Sequence, residues 1–215
     1  MSNDKRTIVV GSGGFGRELM CWVNDCASAG RLPPLTGFID DKPLELPDYA
    51  PRLGSVQDYK PRGGDVFALA IANPATKRKV VGLLKDRGAV FASVIHPSTT
   101  IVQTAQMGEG VVMCPQTMLM PDSKIGNFVT ILNFSGVGHD STVGEFTTFS
   151  ALCDVTGNVT VGADVFMGSG ARLLPGITVG DGAKIGAGAT VVRSVKPGAT
   201  IYNIPPKTLK PATRS

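Results

Sequence analysis

The chain has 215 residues, 42% hydrophobic and 18% charged, which suits one large or two modest globular domains. A net charge of +4 is too small to argue for a nucleic-acid partner; no run approaches the ~18 apolar residues of a membrane span, and residues 1–6 lack a secretory stretch, so a cytoplasmic protein with no membrane partner is expected. Four cysteines without a CxxC pair and only two histidines, His96 and His139, leave no zinc set, so no metal is expected.

Residues 1–94 alternate strand and helix patterns. Residues 7–10 form a short apolar strand, and Gly11-Ser12-Gly13-Gly14-Phe15-Gly16 follows at once. Residues 17–29 are helical, 35–39 a second strand, 65–72 a third, 74–87 a helix, and 89–94 a last strand. This alternation predicts a small parallel, Rossmann-like α/β sheet. Gly11, Gly13 and Gly16 match GxGxxG between strand and helix, where backbone N–H groups can cradle a phosphate. The motif alone is compatible with NAD, with a tight packing turn holding no ligand, or with another nucleotide diphosphate. The small size of the domain and the lack of a second mononucleotide half argue for the last.

From Ile95 the pattern changes to a period of six. Ile95, Ile101, Met107 and every sixth residue through Val191 are apolar, and the fifth position of each hexad is small or β-branched, from Thr99 to Val195. Six is not near a multiple of 3.6, so a helix would scatter these residues around its surface. A short strand followed by a sharp corner fits, and three such units close an eighteen-residue triangular coil. The expectation is a parallel β-helix over 95–196, with Pro197 launching an extended tail over 197–215. The hexads run without insertion, so the prism has no cleft of its own. An active site must lie against another domain or between subunits.

His139 stands at the third position of its hexad, outside the apolar file, with Asp140 beside it. A neutral imidazole is the natural general base near pH 7. Neighbours on a strand point apart, so pairing with Asp140 requires the corner to bend them together. One coil later the same position is Gly157, expected to leave a pocket and a backbone N–H able to polarise a carbonyl. The column continues through Pro175 to Arg193, about 14 Å from His139 by strand spacing, a candidate phosphate partner together with Lys207. Cys153, at a small-residue position, is read as packing rather than as a nucleophile.

Taken together, the Gly-rich α/β domain, Gly37-Phe38-Ile39-Asp40-Asp41, Ala72-Asn73, Asn133 upstream of the His–Asp pair, and Pro205-Pro206-Lys207 resemble the bacterial nucleotide-sugar N-acetyltransferases of the hexapeptide-repeat class. The resemblance spans nearly the whole chain and implies a left-handed coil, a homotrimer, and acetyl-CoA as co-substrate. It implies a nucleotide-linked 4-amino-4,6-dideoxyhexose as acceptor, with GDP-perosamine favoured over UDP- or dTDP-linked sugars. In that frame Gly11, Ser12, Gly13, Gly14 and Phe15 face the diphosphate and sugar. Asp40, Asp41 and Lys42 face the base and ribose, with Asn73, Lys77 and Arg78 nearby. His139 is the base, Asp140 its orienting acid and Asn133 a supporting residue, while Gly157, Ser169, Ala187, Arg193 and Lys207 line the cofactor. Some relatives carry histidine where Phe15 stands, so recognition of the sugar amine here must differ. O-acetylation of a sugar or sialic acid hydroxyl, and a non-catalytic β-helix scaffold, are the competing functions.

Overall fold

A computed structural model describes residues 5–204. Five parallel strands open the chain: β1 (Arg6–Val10), β2 (Leu35–Ile39), β3 (Arg52–Gly54), β4 (Asp65–Leu69) and β5 (Val90–Phe91), in spatial order β3-β2-β1-β4-β5. Helix α1 (Gly14–Ser28) follows β1, and α2 (Pro74–Lys85) follows β4. Leu19, Met20, Val23 and Cys26 form the buried stripe of α1. Gly30, at φ 70°, ends the helix in the left-handed conformation that brings the N–H of Arg31 back to the carbonyl of Cys26. Helix α2 starts on Asn73, whose side chain accepts from the N–H of Thr76, with Pro74 at its first turn.

The strand expected over 89–94 divides. Val90–Phe91 stays in the α/β sheet, whereas β6 (Val94–Ile95) is already the first strand of the solenoid. From β6 onward, eighteen two-residue strands stack into three parallel sheets of seven, six and five strands, paired residues lying eighteen positions apart until the last strand. The result is a left-handed parallel β-helix. Its interior is one column of apolar side chains, from Val111 and Met113 through Phe149 and Leu173 to Val191.

Corners repeat as well. At nine of them a non-glycine residue sits at φ between 56° and 63°, Phe134, Asp140 and Phe146 among them. Such conformations carry a cost of order 1–3 kcal/mol each. They persist because they turn the residue's N–H toward the preceding coil: Asp140 donates to the carbonyl of Pro121, and Phe146 to that of Asn127.

Pro197 does not end the repeat. The last coil is two residues short, so Val195 bridges Val179 and Ile201 pairs with Ile185, sixteen positions away rather than eighteen. Proline sits at a corner, where no ladder N–H is required, and the solenoid runs on to Thr200–Ile201.

The α/β domain covers the seven-stranded face. Cys26 and the α1 stripe pack on Val94, Val112 and Cys114. Phe128 and Phe146, stacked with centroids 5.1 Å apart at one corner, join the cluster around Phe67 and Phe91. No helix among the described residues is long and apolar enough to cross a membrane.

Candidate active site

Two sites emerge, one at the strand ends of the α/β domain and one on an exposed corner of the solenoid. At the first, Gly11 has φ 104° and would place a Cβ 2.9 Å from the carbonyl oxygen of Ala70, while a Cβ on Gly16 would lie 2.3 Å from the carbonyl oxygen of Gly11. These glycines allow β1 to turn directly into α1. Gly13 and Gly14 face open space, and Gly13 caps α1 without any side-chain hydrogen bond. The first N–H groups of α1 are therefore presented without a protein side chain in front of them.

Gly11, Ser12, Gly13, Asp40, Asp41 and Asn73 line one cleft of about 380 Å³, within the usual range for small-ligand pockets. Val56, Ile71, Thr76 and Val80 complete its walls. Sequence reading missed these four, although Thr76 and Val80 follow Asn73 at helical spacing and so share its side of α2. Asp40 is more committed than expected. Its Oδ2 accepts from the N–H (2.7 Å) and the hydroxyl (2.8 Å) of Ser12, and its Oδ1 accepts from the N–H of Lys42 (2.8 Å). Burial alone would raise its pKa, but these hydrogen bonds from Lys42 and Ser12 outweigh burial and hold it below the ordinary value. Asp40 braces the loop, and exposed Asp41 is the freer carboxylate at the cleft.

Three expected residues lie elsewhere. Phe15 packs beside Trp22, ring centroids 6.4 Å apart, on the apolar cluster under α1 and outside the cleft. Arg78 is held on the β-helix by Glu145 (2.9 Å) and Asp164 (2.8 Å), its guanidinium 4.1 Å over the ring of Phe146. Lys77, expected near the nucleotide, is fully buried, with its ammonium on Phe128, Thr130 and Thr148 of the β-helix. It falls on the buried stripe Pro74–Lys77–Val81–Leu84, and that spacing was the signal.

On the solenoid, His139 and Asp140 do pair, Nδ1 to Oδ2 at 2.8 Å. The left-handed φ of 57° at Asp140 supplies the bend. Both side chains are more than half exposed, at 59% and 54%. Gly157 leaves no vacant pocket, contrary to expectation, because the imidazole itself occupies the space. A Cβ on Gly157 would meet Nε2 of His139 at 2.4 Å. The N–H of Gly157 finds no acceptor among the described residues. Ring and N–H thus stand together at one corner.

The remaining candidates divide between two corners bordering the six-stranded sheet. Arg193 lies exposed in the shortened last coil on the corner of His139 and Gly157, whereas Asn133, Ser169 and Ala187 share the preceding corner, two coils and then one coil apart. Asn133 makes no side-chain hydrogen bond to His139. Lys207 lies outside the described residues. Cys153 is excluded as a nucleophile: burial pushes its thiol up to about 11, and it is 1% exposed in the interior. Among the described residues no group of three or more His, Cys, Asp or Glu could hold a metal ion.

Known proteins share this fold. The bacterial transferase hexapeptide model (six repeats) matches residues 158–193. The structure of WeeI from Acinetobacter baumannii AYE is 31% identical, with TM-score 0.82, over 91% of this chain and 95% of that one. PerB from Caulobacter crescentus, solved in complex with CoA and GDP-perosamine, is 26% identical with TM-score 0.82, over 90% of this chain and 92% of that one. The acetyltransferase domain of PglB from Neisseria gonorrhoeae FA1090 shares the fold at 24% identity and TM-score 0.83, over 91% and 95%. No curated protein matches the chain in sequence. With the α/β domain, the left-handed solenoid and near full-length similarity all in place, the chain belongs to the hexapeptide-repeat, left-handed β-helix sugar N-acetyltransferases and is an enzyme.

Proposed function

We propose that the enzyme moves an acetyl group from acetyl-CoA to the C4 amine of a nucleotide-linked 4-amino-4,6-dideoxyhexose, with GDP-perosamine as the favoured substrate. The observation that carries this is the solvent-facing His139–Asp140 pair beside the N–H of Gly157. The complex of the Caulobacter relative with CoA and GDP-perosamine supports the choice of both substrates. Asp140 holds Nδ1, which leaves Nε2 as the proton acceptor. The amine attacks the thioester carbonyl, the C–N bond forms, and Nε2 of His139 takes the amine proton. The N–H of Gly157 stabilises charge on the carbonyl oxygen as the C–S bond breaks, and CoA leaves as thiolate to be protonated.

The strand-end cleft is the place for the nucleotide. The diphosphate would rest on the first turn of α1, with Gly11, Ser12, Gly13 and Gly14 around it. Asp41 and Lys42 would meet the base and ribose, and Asn73 would close the wall. Phe15, packed on Trp22, offers the sugar amine no hydrogen bond, so the amine is directed by His139 instead. Arg193 and Lys207 would receive CoA phosphates, while Ser169 and Ala187 line its arm and Asn133 supports the site.

A homotrimer completes this reading. His139 and Asn133 stand on opposite edges of the six-stranded face, so one subunit's His139 corner would meet another subunit's Asn133 corner. Exposed Phe134 (61%) and Leu152 (59%) on that second corner, with exposed Met118 on the adjoining strand, supply an apolar surface for a neighbour. The enzyme would act in the cytoplasm, where acetyl-CoA and nucleotide sugars are available. A panel of GDP-, UDP- and dTDP-linked 4-amino-sugars, assayed for CoA release from acetyl-CoA, tests the proposal. Release with an amino-sugar but not with its 4-hydroxy counterpart is expected, and release only with hydroxyl acceptors contradicts it.

A further inference from the structure

Lys77 is the most unusual side chain outside the two sites. It is 0% exposed, yet no carboxylate touches its ammonium. Nζ donates to the carbonyl of Phe128 (2.9 Å) and the hydroxyls of Thr130 (2.9 Å) and Thr148 (2.8 Å), with the carbonyl of Thr147 at 3.4 Å. All four acceptors belong to the β-helix and to two successive coils. Burial draws the Lys77 pKa down to about 7, and Asp164 is the charge that opposes this.

Stability alone does not account for a lysine there. The position is on the apolar stripe of α2, where methionine would fill similar space without desolvating an ammonium. What lysine adds is direction. Three hydrogen bonds fix a point on α2 relative to two coils, whereas an apolar contact lets a helix slide. At one end of this link, the N–H of Lys77 bonds to the carbonyl of Asn73, whose residue walls the nucleotide cleft. At the other, Thr148 is nine residues beyond His139, one strand and one corner along the same coil. The rim of the contact holds Arg78 with Glu145 and Asp164, and farther along Lys85 with Glu109; none of these reaches Nζ.

We infer that Lys77 is a positioning residue for acetyl transfer, fixing the cleft-bearing end of α2 to the coil that carries His139. This rests on the function proposed above, because it presumes that one substrate must reach from the cleft to the His139 corner. A misplacement of about 1 Å can cost on the order of a hundredfold in rate, so a pin of this kind acts on turnover rather than on binding.

Lys77→Met and Thr148→Val test it from both sides of the link, with Arg78→Met as a rim control. Steady-state turnover with the accepted nucleotide sugar is measured beside calorimetric affinities for nucleotide sugar and CoA, all per folded molecule. The expected result is a kcat lowered about tenfold or more in Lys77→Met, affinities within about twofold of wild type, and little change in Arg78→Met. Thr148→Val should lower kcat in the same direction, and the double variant should be no worse than Lys77→Met. Unchanged kcat in a folded Lys77→Met protein overturns the inference, as does additive loss in the double variant. If wild type releases no CoA with any amino-sugar, the proposed function fails instead. Hydrogen exchange then decides the pin: faster exchange confined to the start of α2 and to 128–148 in Lys77→Met supports it, and an unchanged pattern refutes it.

Discussion

Asp140 and Phe146 stand six residues apart on successive corners of one coil, with φ of 57° and 59°, and each sends its N–H to a carbonyl one coil back. The backbone cannot tell them apart. One corner presents an exposed imidazole–carboxylate pair; the other lies under the α/β domain, with Phe146 stacked on Phe128 and capped by Arg78. In a solenoid whose corners are interchangeable, role is assigned by one or two outward side chains per corner. Changes at the two corners should therefore separate cleanly, one set altering chemistry and the other altering cohesion.

The largest effect is expected at the chemical corner. His139→Ala should reduce turnover by about 10² to 10⁴-fold, the usual range for a general base, with the urea midpoint unmoved because the ring is exposed. A parallel loss of stability would break the comparison. Phe146→Ala should do the reverse, lowering unfolding free energy by about 3–5 kcal/mol as a buried aromatic stack is truncated, with kcat per folded molecule preserved. Gly157→Ala is subtler. Its methyl would displace the imidazole, and turnover should fall roughly tenfold, about 1.4 kcal/mol, with the chain still folded.

The last expected effect is a slope. The pKa of Lys77 falls from 10.5 to about 7 on folding, so between those values the unfolded chain binds the additional proton. Stability then rises with pH across this window and loses that contribution as pH falls toward 7. Relative to Lys77→Met, wild type should gain up to about 1.4 kcal/mol per pH unit between pH 7.5 and 9 in urea titrations. A difference independent of pH would contradict this.

Much of this was legible in advance. The hexad file from Ile95 to Val191 dictated the coil, since only a two-residue strand with a corner can keep every sixth residue inside. His139, Asp140 and Gly157 stood out because polar and vacant positions are conspicuous in such a file. What escaped notice depends on contacts between distant parts of the chain. The two-residue shortening after Val191 shows itself only through the pairing of Val195 with Val179. Lys77 reads as a neighbour of the nucleotide beside Arg78 until its place on the α2 stripe meets the hydroxyls of Thr130 and Thr148, more than fifty residues away. Gly157 reads as a vacancy, but only the orientation of the His139 ring shows what fills it.

In the proposed reaction the exposed His139 corner transfers acetyl to an amine presented from the α/β cleft. Locating the acetyl group in the product by NMR, after reaction of wild type and His139→Asn with acetyl-CoA and a nucleotide-linked 4-amino-sugar, tests it most directly. A C4 amide formed by wild type and almost none by the variant is expected. An acetyl ester on a sugar hydroxyl, or equal amide formation by both proteins, would contradict it.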